Sequence, residues 1–337
     1  MRILNFGSLN IDHVYSVEHI ARPGETLASS SYEVFAGGKG ANQSAALGRA
    51  GAPVYHAGLV GSDGAWLIDK LVTAGVDMRF TGQAEKGVTG HALIQVEEES
   101  GQNSIVLYPG CNHAVSKARI KAVIEEFSNG DILLLQNEIS EIPYLIEQGS
   151  ARGMSVCLNP APMTPAVLDY PLDRIDILIV NETEAAALAA SVEDPREGRT
   201  QSFSTPALDT PLGQSPRSAP VGQLMSRLQQ VAPRARLLLT LGERGAVYRG
   251  DGSERTVEAV PTTAVDTTGA GDTFVGYFIA SVAEGLPTAA ALRRAAAAAA
   301  LCVSRAGAMD SIPRGDEVES TLGPPPGPAP SGGAGGP

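Results

Sequence analysis

Six short apolar runs, separated by segments with a helical pattern, constrain the fold of this chain more than any other feature. Each run has four to seven residues and almost no polar interruption, which is typical of strands that are apolar on both faces. Such strands belong to a parallel sheet that helices cover on both sides. The alternation of strand and helix therefore predicts an α/β fold with a doubly wound, mostly parallel sheet flanked by helices.

The predicted strands of this sheet are Arg2–Phe6, Val54–Val60, Asp131–Gln136, Ser155–Leu158, Asp176–Val180 and Leu237–Leu241. The helices predicted between them include Gly40–Ala50, Ala65–Ala74, Lys117–Phe127 and Glu182–Ala190. A second pattern interrupts the alternation, because two runs of alternating sidedness flank a polar turn and predict a β-hairpin at Gly90–Glu97 and Asn103–Tyr108. Residues 32–35 could add a further strand to it. We expect a small lid or edge sheet from strands within residues 10–35 and 89–110.

One domain is predicted over residues 1–316, and two segments of biased composition accompany it. In 191–220, 15 of 30 residues are Ser, Thr, Pro or Gly, and only four are sizeable apolar residues. Gly and Pro also supply 12 of the last 15 residues of the chain. Such compositions cannot bury enough apolar surface to offset the entropy of ordering. We therefore expect a disordered insertion at 191–220 and a disordered Gly/Pro-rich tail at 317–337.

Charge and cysteine content exclude several classes of partner. The chain has 25 Lys and Arg against 37 Asp and Glu, a formal net charge of −12, and no Lys/Arg run. We therefore expect it to bind neither nucleic acid nor an anionic membrane. The cysteines Cys111, Cys157 and Cys302 are far apart and lack CxxC spacing, which predicts thiols in a reducing compartment. With no apolar stretch near the ~18–20 residues of a membrane span and no signal-peptide core, the chain is expected to be cytoplasmic.

The strongest chemical signal is the string VDTTGAGDTF at 265–274, between a predicted strand and an amphipathic helix. The small residues Gly269, Ala270 and Gly271 let backbone N–H groups approach a ligand closely, and a helix N-terminus favours an anion there. Asp272, at the mouth of this loop, is placed to take a proton from an attacking hydroxyl. The alternative for the loop taken alone is a glycine turn in which Asp272 caps the helix.

Two further loops suit a polyhydroxylated ligand. GGKGANQ at 37–43 matches neither the Walker A pattern nor GxGxxG, and its glycines, ammonium and amide suit directional hydrogen bonds. Asn10 and Asp12 follow the first strand, at the edge where open parallel sheets bind ligands. The alternatives are a flexible turn at 37–43 and a pair of Asx turns at 10–12.

Three weaker signals lie at the same edge of the sheet. Asn181 and Glu184 follow one strand, and their spacing is also that of a helix capping box. Residues 240–245 end another strand, where they form either a hairpin turn or a loop along a nucleotide. Glu138 follows a third strand. The five histidines lack zinc-site spacing, and no GxSxG is present, so a zinc enzyme and an α/β-hydrolase are not indicated.

Seven motifs occur in the order seen in ribokinase-like (phosphofructokinase-B type) carbohydrate kinases, and the chain resembles that family, with the ribokinase branch as the nearest match. The motifs are GSLNIDH near the start, GGKGANQ at 37–43, TGxALIxV at 89–96, NPAP at 159–162, NETE at 181–184, TLGERG at 240–245 and DTTGAGDTF at 266–274. The resemblance spans residues 2–316 except for 191–220.

This resemblance implies an ATP-dependent kinase that transfers the γ-phosphate to a sugar hydroxyl, most closely D-ribose to ribose 5-phosphate. It also implies Mg²⁺, a monovalent cation such as K⁺, and a homodimer formed through the lid. The alternatives are another acceptor (deoxyribose, a ketose, a keto-sugar acid or a nucleoside) and a non-catalytic sugar or nucleotide sensor. A sensor would be expected to have lost the base or the glycines of the loop, and this chain retains both.

The resemblance also implies roles for particular residues. Asp272 would be the catalytic base, and Gly269, Ala270 and Gly271 would form the anion hole. The implied sugar-binding residues are Asn10, Asp12, Gly38, Lys39, Asn42, Glu138 and Asp272. The implied residues near the phosphates, Mg²⁺ and nucleotide are Asn181, Glu184, Thr240, Gly242, Gly245 and Gly271. The implied monovalent-cation site, made largely of carbonyls, comprises Asp266, Thr268, Cys302, Arg305, Gly307 and Ser311. Two departures, the 191–220 insertion and Ala296 at the expected adenine, leave the nucleotide preference open.

Overall fold

The computed structural model describes residues 1–193 and 220–322. Its strands are β1 Ile3–Phe6, β2 Asn10–Val17, β3 Ser31–Gly37, β4 Val54–Val60, β5 Asp77–Gln83, β6 Gly90–Glu97, β7 Asn103–Tyr108, β8 Ile132–Gln136, β9 Ser155–Asn159, β10 Ile177–Asn181, β11 Arg236–Thr240, β12 Ala246–Gly250 and β13 Ser253–Val257. Its α-helices are α1 Lys39–Arg49, α2 Ala65–Thr73, α3 Lys117–Ile124, α4 Ile142–Ala151, α5 Glu182–Glu193, α6 Val221–Val231, α7 Ala270–Glu284, α8 Thr288–Val303 and α9 Gly315–Leu322.

Nine strands form the larger sheet, in the order β13-β12-β11-β10-β9-β8-β1-β4-β5. The strands from β11 to β5 in this order pair in parallel, and β12 and β13 extend one edge as antiparallel strands. Successive strand residues face opposite sides, so Ile3 joins one apolar core and Leu4 the other. Helices α1, α2, α7 and α8 cover the first side, and α3 to α6 cover the second. The doubly wound parallel sheet predicted from the apolar runs is confirmed.

Four strands form a second, separate sheet, in the order β3-β2-β6-β7. Strand β2 begins four residues after β1 ends, so this sheet grows directly from the centre of the larger one. The hairpin β6–β7 has the predicted bounds, and β3 contains the predicted extra strand. Several large apolar side chains of this sheet are exposed, with Val106 at 65%.

The sequence patterns missed one edge strand of the larger sheet, β5, and the strand next to the other edge, β12. Strand β5 is an edge strand of mixed polarity, and β12 follows β11 after a short 3₁₀ turn. Because β11 and β12 are antiparallel, the hairpin alternative for residues 240–245 is confirmed. Within residues 1–193 and 220–322, no helix has the length and apolarity that crossing a membrane requires.

The predicted bounds of both disordered segments include residues that the structure places in helices. Residues 191–193 complete helix α5, and Pro220 lies at the start of α6. The tail prediction is wrong for 317–322, because these residues belong to α9, whose Val318 is fully buried and whose Glu317 forms an ion pair with Arg305. Burial of Val318 offsets the entropy cost of ordering this segment, a cost that the composition of the tail had suggested would be too large. Residues 194–219 and 323–337 lie outside the described residues.

Candidate active site

The predicted site residues meet where the carboxyl ends of the central strands face the start of the small sheet. Helix α1 begins against the end of β1, and glycine is required at this contact. A Cβ on Gly40 would lie 2.3 Å from the Ser8 nitrogen and 2.6 Å from Gly7 Cα. Gly38 precedes α1 with a φ of 91°, which favours glycine. The loop at 37–43 is thereby held over the end of the first strand.

Asp272 lies in the first turn of α7, and its carboxylate receives two side-chain amides from α1. Asn42 Nδ2 donates to Oδ2 at 3.0 Å, and Gln43 Nε2 donates to Oδ1 at 3.0 Å. The two helices approach closely enough for this because α7 has a glycine at the contact. A Cβ on Gly276 would lie 2.4 Å from the Ala46 Cβ. Asp272 as a whole residue is only 8% exposed to solvent, so these two donors set the orientation of its carboxylate.

The N-terminus of α7 opens to solvent beside Asp272. Gly269 caps the helix with a φ of 78°, and its neighbour Ala270 is the first helical residue. A Cβ on Gly271 would meet nothing within 4 Å, so space is open over this turn. The first N–H groups of a helix have no intrahelical acceptor and carry the positive end of the helix dipole. This terminus can therefore stabilise an anionic group placed next to Asp272.

Asp12 and Glu138 bring two carboxylates to the other side of the site. Burial and the nearby charge of Glu138 raise the pKa of Asp12 to about 7. Burial also raises the pKa of Glu138, against the opposing effects of Lys39 and Ser8. Glu138 Oε2 accepts the Lys39 backbone N–H at 2.8 Å and the Ser8 hydroxyl. A Cβ on Gly37 would lie 1.9 Å from Asp12 Oδ2, so the space beside this carboxylate depends on glycine.

Asn10 is held at the junction of the two sheets by Asn112, a residue that sequence reasoning missed. Asn112 Nδ2 donates to Asn10 Oδ1 at 2.7 Å, and Asn112 Oδ1 accepts the Leu9 N–H at 3.0 Å. A Cβ on Gly90 would lie 2.4 Å from Asn10 Oδ1. The amide of Asn10 is therefore fixed on the same strand, and the same face, as Asp12.

Lys39 carries the positive charge among these carboxylates. Its pKa is raised by the charges of Asp272, Glu138 and Glu184, in part against the effect of burial. The ammonium thus lies within electrostatic reach of all three carboxylates. The structure therefore brings together both ends of the predicted site, the base side at Asp272 and the acceptor side at Glu138.

Asn181 and Glu184 form the capping box that their spacing allowed. The Asn181 N–H donates to Glu184 Oε2 at 2.9 Å, and the Glu184 N–H donates to Asn181 Oδ1 at 2.9 Å. Burial raises the pKa of Glu184. A carboxylate has about four acceptor positions, so Glu184 retains capacity for a further partner. Asn181 pairs with Thr240 across β10 and β11, which places the 240–245 turn beside the box.

Turn residues Gly242 and Gly245 adopt positive φ values of 56° and 86°. A Cβ on Gly245 would lie 2.0 Å from the Val257 carbonyl oxygen, so the turn requires glycine to pack against β13. The structure therefore accounts for both glycines through the hairpin itself.

The residues of the implied cation site also come together. Asp266 Oδ1 accepts the Thr268 N–H at 2.8 Å, and Oδ2 accepts the Gly307 N–H at 2.9 Å. The Cys302 thiol lies 3.1 Å from the Ser311 hydroxyl and 3.9 Å from the Thr268 carbonyl oxygen. The Arg305 side chain pairs with Glu317, so this residue could offer an ion only its carbonyl oxygen. Asp266 thereby joins this loop to the turn that precedes α7.

Sequence reasoning missed the residues that hold the site together: Ser8, Gly37, Gln43, Gly90 and Asn112. Four of these five residues lie inside motifs recognised in the sequence, namely Ser8, Gly37, Gln43 and Gly90, and only Asn112 lies outside them. Their partners lie far away in sequence, as with Asn10 and Asn112, which are 102 positions apart. Among the described residues there is no cluster of three or more His, Cys, Asp or Glu side chains that could hold a metal ion by itself.

Comparison with known proteins identifies the family of this chain. The pfkB family carbohydrate kinase profile matches residues 2–314. A ribokinase of Haemophilus influenzae is 33% identical over 319 residues, covering 93% of this chain and 95% of that protein. The Arabidopsis thaliana ribokinase solved with ribose and ATP superposes with a TM-score of 0.78 at 29% identity, covering 96% of this chain and 98% of that one. The Cryptococcus neoformans ribokinase solved with ADP gives 0.76 at 32% identity, covering 95% and 99%. The chain therefore belongs to the pfkB family of carbohydrate kinases.

Proposed function

We propose that this protein transfers the γ-phosphoryl group of ATP to the 5-hydroxyl of D-ribose, giving ribose 5-phosphate and ADP. The observation that carries the proposal is the pairing of a buried, amide-bound Asp272 carboxylate with the open N-terminus of α7. The similarity to ribokinases, one of them solved with ribose and ATP, supports ribose as the acceptor and ATP as the donor.

Asp272 acts as the general base for the acceptor hydroxyl. It takes the hydroxyl proton while the oxygen attacks the γ-phosphorus and the bond to the ADP oxygen breaks. The N–H groups of Gly269, Ala270 and Gly271 stabilise the negative charge of the transferring group. Catalysis then depends on positioning and electrostatics, because phosphoryl transfer requires little covalent chemistry from the protein.

The acceptor binds between the small sheet and the start of α1. Asp12 supplies acceptors from β2, where Asn10 can donate through its NH₂ group because its Oδ1 accepts from Asn112, and Lys39 supplies donors from the opposite side, where Asn42 Oδ1 has no partner among the described residues. Glu138 fixes the backbone at Lys39, and Gly38 provides the positive-φ turn that leads into α1. Directional groups on both sides suit a sugar with several hydroxyls.

Glu184 is the residue best suited to orient a Mg²⁺–nucleotide, with Asn181 supporting it and Thr240, Gly242 and Gly245 beside it. Mg²⁺ is usually bound by one or two carboxylates together with substrate phosphates, and when bound it neutralises developing charge on the phosphates. The free acceptor capacity of Glu184 fits this role.

The assay that tests the proposal measures ADP release with ribose, 2-deoxyribose, ketoses, keto-sugar acids and nucleosides as acceptors. We expect ribose to give the highest kcat/KM. A hexose, keto acid or nucleoside preferred by about tenfold or more would contradict ribose while leaving the kinase class intact. No phosphorylation of any acceptor would favour the sensor alternative.

A monovalent cation is proposed at the Asp266 loop, made largely of the carbonyls of Thr268, Cys302, Arg305 and Gly307 with the Ser311 hydroxyl nearby. Because Asp266 joins this loop to the turn before Gly269, an ion there would order the anion hole without touching the substrate. We expect kcat to be roughly fivefold or more higher in K⁺ than in tetramethylammonium at equal ionic strength. Equal rates in the two salts would argue against the site.

The affinity for ribose is expected to depend on pH through Asp12. Its pKa is raised to about 7, chiefly by burial, and only the ionised carboxylate accepts two hydroxyl hydrogens. Ionisation therefore favours binding, and the Kd for ribose should fall by about tenfold from pH 6 to pH 8. Calorimetric titration of ribose checks this, and Asp12→Asn should abolish the pH dependence. A wild-type Kd that stays constant over this range would contradict the assignment.

Assembly and location complete the proposal. We propose a homodimer formed through the small sheet, whose exposed Ile105, Val106 and Tyr108 give it an apolar surface. We also propose a cytoplasmic location, supported by three buried cysteines that are all free thiols.

A further inference from the structure

Gln43 is a fully buried amide whose role goes beyond the residues assigned above. Its side chain is 0% exposed, and it joins Asp272 to a network of buried amides beneath the site. We propose that Gln43 is a positioning residue, which holds the Asp272 carboxylate in the orientation required for proton transfer. This inference rests on the proposed function, because Asp272 is the base only in that reaction.

One branch of the network starts at a backbone carbonyl and fixes the orientation of each amide in turn. Asn5 Nδ2 donates to the Gly40 carbonyl oxygen at 2.8 Å, which leaves Asn5 Oδ1 to accept from Gln136 Nε2 at 3.0 Å. The same Gln136 nitrogen donates to Gln43 Oε1 at 2.7 Å. Because a carbonyl oxygen can only accept, this branch turns the Gln43 NH₂ group towards Asp272.

A second branch reaches the same orientation independently. Asn159 Nδ2 donates to the Ile179 carbonyl oxygen at 3.0 Å, so Asn159 Oδ1 is left to accept from Gln43 Nε2 at 3.0 Å. The other hydrogen of Gln43 Nε2 is then directed to Asp272 Oδ1 at 3.0 Å. A reversed Gln43 amide would place its oxygen against two other oxygens, which is unfavourable in a buried site.

The network therefore fixes one oxygen of the base from the protein side. With Gln43 on Oδ1 and Asn42 on Oδ2, rotation of the carboxylate would break at least one hydrogen bond. Asp272 Oδ2 can still accept a hydrogen bond from the sugar hydroxyl, since an ionised carboxylate oxygen has more than one lone pair. A shift of the reacting groups by about 1 Å can cost on the order of 10²-fold in rate, so the effect should be on kcat.

The test compares two variants with a control in the ADP-release assay. Gln43→Met keeps similar length and burial without the amide, and we expect kcat to fall roughly 10- to 100-fold. The Kd for ribose, measured calorimetrically, should stay within about threefold, since Gln43 holds Asp272 rather than sugar. Gln136→Met removes the donor to Gln43 Oε1 and should lower kcat in the same direction, which keeps the inference testable if Gln43→Met does not fold. Ser281→Ala removes two other buried hydrogen bonds of α7, to the Tyr277 carbonyl oxygen and from Arg294, and should leave kcat within about twofold.

A double-mutant cycle separates positioning from general stability. If Gln43 acts through Asp272, adding Gln43→Met to Asp272→Asn should cause little further loss of kcat, measured in single turnovers. A wild-type kcat in Gln43→Met, an additive loss in the double variant, or a change confined to the Kd for ribose would overturn the inference. These outcomes leave the proposed function standing. The proposed function fails instead if the wild type phosphorylates no sugar, and the inference then fails with it. A fully active Asp272→Asn variant would overturn the role of Asp272 as base, and the inference with it, while leaving the kinase activity standing.

Discussion

Replacing Asp272 by Asn is expected to lower kcat by ~10²–10⁴-fold, because the variant keeps the shape of the side chain and loses the proton acceptor. The asparagine oxygen can still accept from Gln43 Nε2, and its NH₂ group can donate to Asn42 once the Asn42 amide reverses, because Asn42 Oδ1 has no other partner in the part of the chain that the structure describes; the fold and the binding of ribose and ATP should therefore change little. The ADP-release assay measures kcat, and calorimetry measures the two affinities.

The same substitution at a half-buried aspartate outside the site provides the control for this experiment. Asp77 lies on edge strand β5 and pairs with Arg79, away from the site. Asp77→Asn should therefore retain kcat within about twofold. An Asp272→Asn variant with more than about half of wild-type activity would remove Asp272 from the role of base.

Asp12 is expected to decide which pentose is preferred. A site built to pair hydroxyls penalises a sugar that lacks one, because a buried polar group left unpaired costs ~1–3 kcal/mol. Ribose should therefore exceed 2-deoxyribose by roughly 10–100-fold in kcat/KM, at ~1.4 kcal/mol per tenfold step. Asp12→Ala should weaken ribose strongly and narrow that ratio, and initial rates with both pentoses measure it.

The matched control for Asp12 lies farther along the same strand. Ser16 lies on the same face of β2 as Asp12, four residues farther along. Its hydroxyl accepts a hydrogen bond from Ser31. Ser16→Ala should leave both the rate with ribose and the ratio between pentoses unchanged within about twofold. An undiminished preference for ribose in Asp12→Ala would show that another group reads the missing hydroxyl.

Much of the fold could be predicted because buried strands carry an unmistakable apolar pattern. Strands such as β8, with every residue buried, differ in sequence from any helix or loop around them. Edge strand β5 could not be recognised this way, because its residues are partly exposed and its polarity is mixed. Helix α9 was missed because its composition does not indicate a helix. It is held in place by one buried residue, Val318, and by the ion pair between Arg305 and Glu317.

The location of the site followed from topology, whereas its internal geometry did not. Residues that follow parallel strands must gather at one edge of the sheet, and this rule brought Glu138 and Asn181 into one region. The contact between Gln43 and Gln136 joins residues 93 positions apart, and no local pattern indicates it. The Asn181–Glu184 spacing did predict its capping box, because that interaction is entirely local.

In the proposed reaction, the balance of charge around Lys39 also bears on the release of the product. Asp272, Glu138 and Glu184 face this single ammonium, and Asp12 lies within reach of Glu138. A neutral sugar enters such a surplus of negative charge without electrostatic cost, whereas the sugar phosphate formed there carries about two negative charges at neutral pH. In the proposed reaction, the carboxylates of Asp12 and Glu138 would therefore repel the sugar phosphate more than the neutral sugar, and we expect the product to bind more weakly than ribose does.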